Sequence, residues 1–127
     1  EIVFEPEENT AQQSSVYGKR FGNGGGVTAA VLKSMEESGV DTSDFKIEKC
    51  AGADECKKAL LLMKAGKLDV DFIEGMMCEG GCVGGPSRHK NEQFFKKDRD
   101  KLIQAADARG VHENLDKFDA SKVGMHK

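Results

Sequence analysis

The stretch Glu74-Gly75-Met76-Met77-Cys78-Glu79-Gly80-Gly81-Cys82-Val83-Gly84-Gly85-Pro86 constrains this chain more than any other. Two thiols stand four positions apart, with glycines between and after them, and the apolar run Val70-Asp71-Phe72-Ile73 leads straight in. This order predicts a buried strand that ends in a ligand-bearing loop. Glycine adopts backbone angles closed to other residues and lets the main chain approach a bulky group closely. Glycines around two cysteines therefore suit a chain wrapped around something large and sulfur-loving. The same letters also fit a glycine-rich turn that happens to hold two free thiols.

The preceding residues predict how that loop is delivered. Phe45, Ile47 and Lys49 alternate with polar residues, as in a strand with one inward face, ending at Cys50-Ala51-Gly52. Asp54 stands where an N-cap belongs. A helix then carries the apolar stripe Cys56, Ala59, Leu60 and Met63, widened by Leu61 and Leu62, and Gly66 stops it. Val70 to Ile73 is the second strand. Strand–helix–strand units of this length are right-handed crossovers between parallel strands. The fold class is therefore α/β: a small parallel sheet flanked by helices. Ligands of open parallel sheets gather outside the carboxyl ends of the strands. Cys50 and Cys78 both lie at such ends, so all four thiols can share one rim, although Cys56 can also point inward from its helix.

Earlier in the chain, Phe21-Gly22-Asn23-Gly24-Gly25-Gly26 precedes a helix with Val27, Ala30, Val31 and Met35 on one face and Gly39 as its stop. A glycine-rich loop before a helix resembles a phosphate-binding turn. There is no G-K-[ST] and no dinucleotide fingerprint, so a loop crowded against another backbone is the favoured reading. The helix start remains able to offer N–H groups to an anionic cofactor. Residues 1–20 open with Glu1-Ile2-Val3-Phe4, a short strand candidate, and continue as a polar arm or linker. Asn91 to Arg109 reads as a long helix buried through Phe94, Phe95, Leu102, Ile103 and Ala106, with Gly110 as its stop. Glu113 to Phe118 adds a short helical turn. The expected division is an arm over 1–20, a main lobe over 21–110 and a tail over 111–127.

With 127 residues, one domain can bury a core unaided. A net charge of −3 gives no basic excess that would point to nucleic acid. No apolar segment is long enough to span a bilayer, and no secretory pattern is present. The four cysteines, Cys50, Cys56, Cys78 and Cys82, suit metal or cluster binding in a reducing, cytoplasmic setting better than a disulfide framework. Cys50-x5-Cys56 is loose for zinc, and His89, His112 and His126 are scattered among polar residues. Four thiols match the usual ligand count of an iron–sulfur cluster. Cys56 reads best as a small apolar residue on a helix face, and Cys50 equally as a buried strand residue or a ligand.

Glu74-x-Met76-x-Cys78-x-x-Gly81-Cys82-x-x-Gly85 resembles the third signature of iron-only (FeFe) hydrogenases, and Gly25-Gly26-Val27 before a helix matches the family in the same order. The resemblance covers roughly residues 20 to 90. It implies a C-terminal lobe of a hydrogenase large subunit, whose catalytic group is a 4Fe-4S cluster joined to a two-iron subsite. Carried over, Cys78 would be a terminal cluster ligand and Cys82 the bridging ligand. Met76 would pack beside the two-iron unit, with Gly81 and Gly85 lining the cofactor. The family's other cluster cysteines belong to T-S-C-C-P and M-P-C signatures that this chain lacks. Its usual G-x-G-Q-P ending is replaced by Val83-Gly84-Gly85-Pro86-Ser87. The resemblance thus implies a divergent, anaerobic oxidoreductase that turns over or senses hydrogen. The chain alone would be inactive and hold no cofactor. Its partners would be the N-terminal remainder of the subunit and a ferredoxin-type electron donor or acceptor, with neither nucleic acid nor membrane. The rival resemblance is to thioredoxin-like 2Fe-2S ferredoxins, with all four thiols on one cluster. A nonenzymatic α/β interaction module is the third reading.

Overall fold

A computed structural model describes residues 14–88 and 92–116. Its elements are α1 (Val16–Arg20), α2 (Gly26–Glu37), β1 (Ile47–Ala51), α3 (Ala53–Lys64), β2 (Phe72–Met76), a 3-10 turn (Cys82–Gly84), α4 (Glu92–Gln104) and α5 (Val111–Asp116). β1 and β2 form a parallel sheet in which Ile47 stands opposite Phe72 and Ala51 opposite Met76. The expected α/β class and strand–helix–strand unit are thus present.

Side-chain alternation sorts the two faces of the sheet. Cys50 and Gly75 are register partners, and a Cβ on Gly75 would lie 3.4 Å from the Cys56 sulfur of α3. Ile73 and Gly75 therefore face α3. Phe72, Glu74 and Met76 face the other way, and Glu74 reaches α2. Cys50, Ala59 and Ala30 are the buried apolar residues among those described, so the core is thin and runs through the sheet.

Two of the three helix stops read from glycine, those at Gly39 and Gly66, are correct. Gly39 and Gly66 have φ of 75° and 65°. Gly39 N–H donates to Glu36 O and Val40 N–H to Met35 O, each at 2.9 Å; Gly66 and Lys67 repeat the pattern after α3. These paired bonds satisfy the last carbonyls of each helix, and the left-handed residue they require favours glycine.

Several boundaries differ from expectation. β2 begins at Phe72 rather than Val70, because Asp71 and Phe72 N–H both donate to Lys46 O. It continues to Met76, whose carbonyl accepts Gly52 N–H at 2.8 Å. Met76 therefore belongs to the strand and not to the loop. In β1 the inward residue is Cys50, and Lys49 is exposed. α3 is capped by Gly52, at φ 99°, without a side-chain cap. Asp54 sits inside its first turn, where a carboxylate still favours the helix dipole. The α3 stripe is only partly covered: Leu60, Leu61 and Met63 are more than half exposed. On α2, Thr28 and Ala30 are buried more deeply than Val27, Val31 and Met35.

The long helix expected over 91–109 ends at Gln104. The chain then turns so that Asp107 O accepts Val16 N–H at 2.8 Å, which joins this loop to α1. Leu102 is exposed rather than buried. Gly110 does not stop α4; it sits against Glu37, whose carboxylate accepts Val111 N–H at 3.1 Å and His112 N–H at 2.8 Å. Val16–Arg20, in the stretch read as an arm, is helical and packs on α2 and α4. The Glu1–Phe4 strand, His89, His126 and the tail beyond residue 116 lie outside the described residues, as do the side chains of Phe94 and Phe95.

Two glycines separate space from backbone strain. A Cβ at Gly26 would sit 1.8 Å from Arg20 O, whereas Gly39 has open space but a positive φ. Urea unfolding should show Gly39→Ala costing about 1 kcal/mol from its left-handed backbone. Gly26→Ala should cost more, about 2–3 kcal/mol, because α1 and α2 must part.

Candidate functional site

The site is assembled from the two glycine-rich segments and the strand between them. The carboxylate of Glu74, at the centre of β2, is 4% exposed. One oxygen accepts Gly25 N–H at 2.8 Å, and the other accepts Thr28 N–H at 3.0 Å together with the Thr28 hydroxyl. An anion at a helix N-terminus meets unsatisfied N–H groups and the positive end of the helix dipole. The N-terminus of α2, expected to remain open to an anionic cofactor, is thus already occupied by an internal carboxylate. Burial alone raises the Glu74 pKa. The bonds from Thr28, with Gly25 and Val27, outweigh burial and hold it below the ordinary carboxyl value.

This tether brings residues 22–26 against residues 80–83. Gly24 N–H donates to Gly80 O at 3.1 Å and Val83 N–H to Gly22 O at 3.3 Å, while Asn23 and Gly81 form an antiparallel bridge. The loop before α2 is therefore crowded against another backbone, as the sequence favoured. Gly81 is essential on two counts: its φ is 93°, and a Cβ would lie 2.4 Å from Gly22 O and 2.7 Å from Gly24 N. No side chain fits there.

The predicted site residues fall as follows. Met76 ends β2 and is half-buried. Cys78 is half-buried in the turn beyond it, its carbonyl accepting Gly81 N–H at 3.0 Å. Cys82 opens the 3-10 turn and is exposed. Gly85 is buried against this turn; a Cβ there would stand 3.6 Å from the Cys78 sulfur and 3.0 Å from Cys82 O. Cys78, Cys82, Gly81 and Gly85 therefore share one tight loop, anchored at Met76. Cys50 and Cys56 belong to the β1–α3 packing, with the Cys56 sulfur 3.6 Å from Met76 O. Burial pushes the Cys50 thiol pKa up, with smaller contributions from Glu48, Cys56 and Glu55. All four cysteines are free thiols. Among the described residues no three His, Cys, Asp or Glu side chains converge as a metal-binding group. Cys56 lies at the carboxyl ends of both strands, with its sulfur also 3.9 Å from Cys50 O.

Beside the cysteine loop lies a cavity of about 330 Å³, lined by Glu79, Gly80, Val83, Gly84, Arg88 and Arg99 among others. Its charged lining includes more cationic than anionic groups. His112 lies away from the loop, with its Nε2 3.1 Å from Ser34 Oγ. No helix among the described residues is long and apolar enough to cross a membrane.

Sequence reasoning places Glu74 within a motif but gives it no task, and it passes over Thr28. The available signal is a lone carboxylate in an apolar strand, Phe72-Ile73-Glu74. A buried charge of that kind requires partners.

A sign follows for the pH dependence of stability. Because the folded pKa of Glu74 is depressed, its contribution is present above the unfolded value of about 4.3 and is lost as pH falls through the folded pKa. Glu74→Gln should cost about 2–3 kcal/mol at neutral pH, the scale of charge-assisted bonds. The variant should also show a weaker acid dependence below pH ~4.3, read by urea titrations at several pH values.

The chain matches the family model described as iron only hydrogenase large subunit, C-terminal domain, over residues 2–86, more than half of its length. No curated protein matches it.

Proposed function

The chain belongs to the family of C-terminal domains of iron-only hydrogenase large subunits, and on that premise we propose that it supplies half of a catalytic iron–sulfur cradle. Cys78 and Cys82 are the two thiolates it contributes. The carrying observation is Gly85, whose missing side chain lets the loop close tightly enough to hold the Cys78 sulfur and Cys82 O against one backbone position. Thiolates are soft donors suited to iron–sulfur groups. Two of them in one loop, without a third donor converging among the described residues, make an incomplete ligand set that a preceding part of the subunit would complete.

The residues divide the work. β2 fixes Met76 at its end, and the turn carries Cys78 and Cys82 beyond it. Gly81 lets that turn lie flat on Gly22–Gly24. Met76 offers a polarizable, apolar flank that limits water at the metal. When bound, a 4Fe-4S cluster with its two-iron subsite supplies electron transfer and reversible hydrogen oxidation and proton reduction. The chain alone is inactive on this reading. Electrons pass to or from a ferredoxin-type partner, and the four free thiols suit a reducing, cytoplasmic compartment. A hydrogen-sensing homologue is the second reading, favoured by Pro86-Ser87 where the family carries glutamine. The self-contained four-thiol ferredoxin loses support from the placement of Cys50 and Cys56 in the β1–α3 packing.

Iron analysis of the intact large subunit tests this. Cys78→Ser and Cys82→Ser should each lose cluster iron and reduce hydrogen turnover or hydrogen-dependent signalling by more than ~100-fold, beyond the effect of outer-shell changes. Cys56→Ser should leave both unchanged. Unaltered iron in the Cys78 and Cys82 variants would mark a nonenzymatic module instead.

A further inference from the structure

Glycine inside a strand weakens it and marks a place where another group comes close. Gly75 is such a residue, one position before the end of β2 and opposite Cys50 in register. A Cβ there would meet the Cys56 sulfur of α3 at 3.4 Å. The glycine thus leaves a seat for that sulfur on the α3 face of the sheet. Packing alone would be met by alanine at both positions, without the entropy cost of a strand glycine.

The seated sulfur reaches the ends of both strands. It lies 3.6 Å from Met76 O and 3.9 Å from Cys50 O, with the thiol as donor. A thiol is a weak donor, and a carbonyl oxygen has two lone pairs to offer. Met76 O already accepts Gly52 N–H at 2.8 Å, and Cys56 N–H donates to Gly52 O at 3.2 Å. The start of α3 therefore holds the last carbonyl of β2 twice, through the Gly52 amide and through the Cys56 thiol. Cys78 follows two residues beyond that carbonyl, and its own carbonyl closes the turn by accepting Gly81 N–H at 3.0 Å. Alanine at position 56 would keep the helix face apolar but leave Met76 O with one of its two donors.

We propose that Cys56 is a positioning residue for the thiolate loop. It fixes the end of β2 from which the Cys78 turn departs, and through that turn the place of the Cys78 sulfur. It is not itself a ligand. Groups outside the ligand shell orient the ligands, and their loss costs a metal site about tenfold or more. Cys56 acts in this way through the peptide chain from Met76 to Cys78.

This role rests on the cluster reading of Cys78 and Cys82, but the two can fail separately. In the intact large subunit, Cys56→Ala should speed amide exchange at Gly52 and Gly81 about tenfold, while Thr28, held by Glu74, stays slow. Iron should remain bound, with an altered electron paramagnetic resonance spectrum and hydrogen turnover or hydrogen-dependent signalling lowered about tenfold. Cys56→Ser keeps a donor beside Met76 O and should match the unaltered subunit in exchange, spectrum and turnover. Unchanged Gly81 exchange and an unchanged spectrum in Cys56→Ala overturn the proposal. Equal acceleration in the alanine and serine variants overturns it too, because it assigns Cys56 to packing alone. If Cys56→Ala does not fold, the infrared S–H band lost in Cys56→Ser decides. A band lowered by hydrogen bonding supports the proposal, and a free-thiol band overturns it. Iron lost in Cys78→Ser beside unaffected Gly81 exchange in Cys56→Ala would leave the cluster reading standing and remove this one. Iron unaltered in Cys78→Ser would remove both.

Discussion

A single buried carboxylate organises the molecule. Glu74 projects from the centre of β2 and is bound by the amides of Gly25 and Thr28 and by the Thr28 hydroxyl. Desolvating a carboxylate is costly, and only a full set of donors offsets it. The first turn of α2 supplies that set because its N–H groups have no partners within the helix. One interaction thereby joins the sheet to a helix 46 residues earlier in the chain and satisfies both the strand's charge and the helix's open end.

The two glycine-rich segments take their positions from that joint. Once α2 is held to β2, the residues before the helix and those after the strand meet at Gly24–Gly80 and Asn23–Gly81. Their approach leaves no room for a side chain at Gly81. The same turn delivers Cys78 and Cys82. A loop is held most firmly when its supports are rigid elements rather than other loops, and here β2, α2 and the backbone bridge act together.

Much of this was legible in the sequence where local rules act. Gly39 and Gly66 end their helices because a left-handed residue closes each one. The strand–helix–strand order and the crowding of the first glycine loop against another backbone were likewise readable. Features set at long range were not. The extent of β2 depends on its pairing with the strand before it, so its start at Phe72 and end at Met76 could not be read from the hydrophobicity of Val70–Ile73. α4 stops at Gln104 although its pattern runs on, because the following loop bonds to α1. Leu60, Leu61 and Met63 fit a buried stripe by periodicity, yet nothing among the described residues covers them fully. In the site, the cysteine and glycine spacing identified the loop. The task of Glu74 stayed hidden because its partner Thr28 is remote in sequence and unexceptional in composition.

The claim that the Glu74 tether fixes the site is tested most directly by a double-mutant cycle between Thr28→Val and Glu74→Gln, read as unfolding free energy at neutral pH. The account predicts a coupling of about 1.5–3 kcal/mol, the scale of a buried charge-assisted bond. Additive effects, with coupling below the ~0.5 kcal/mol seen for distant independent sites, would contradict it.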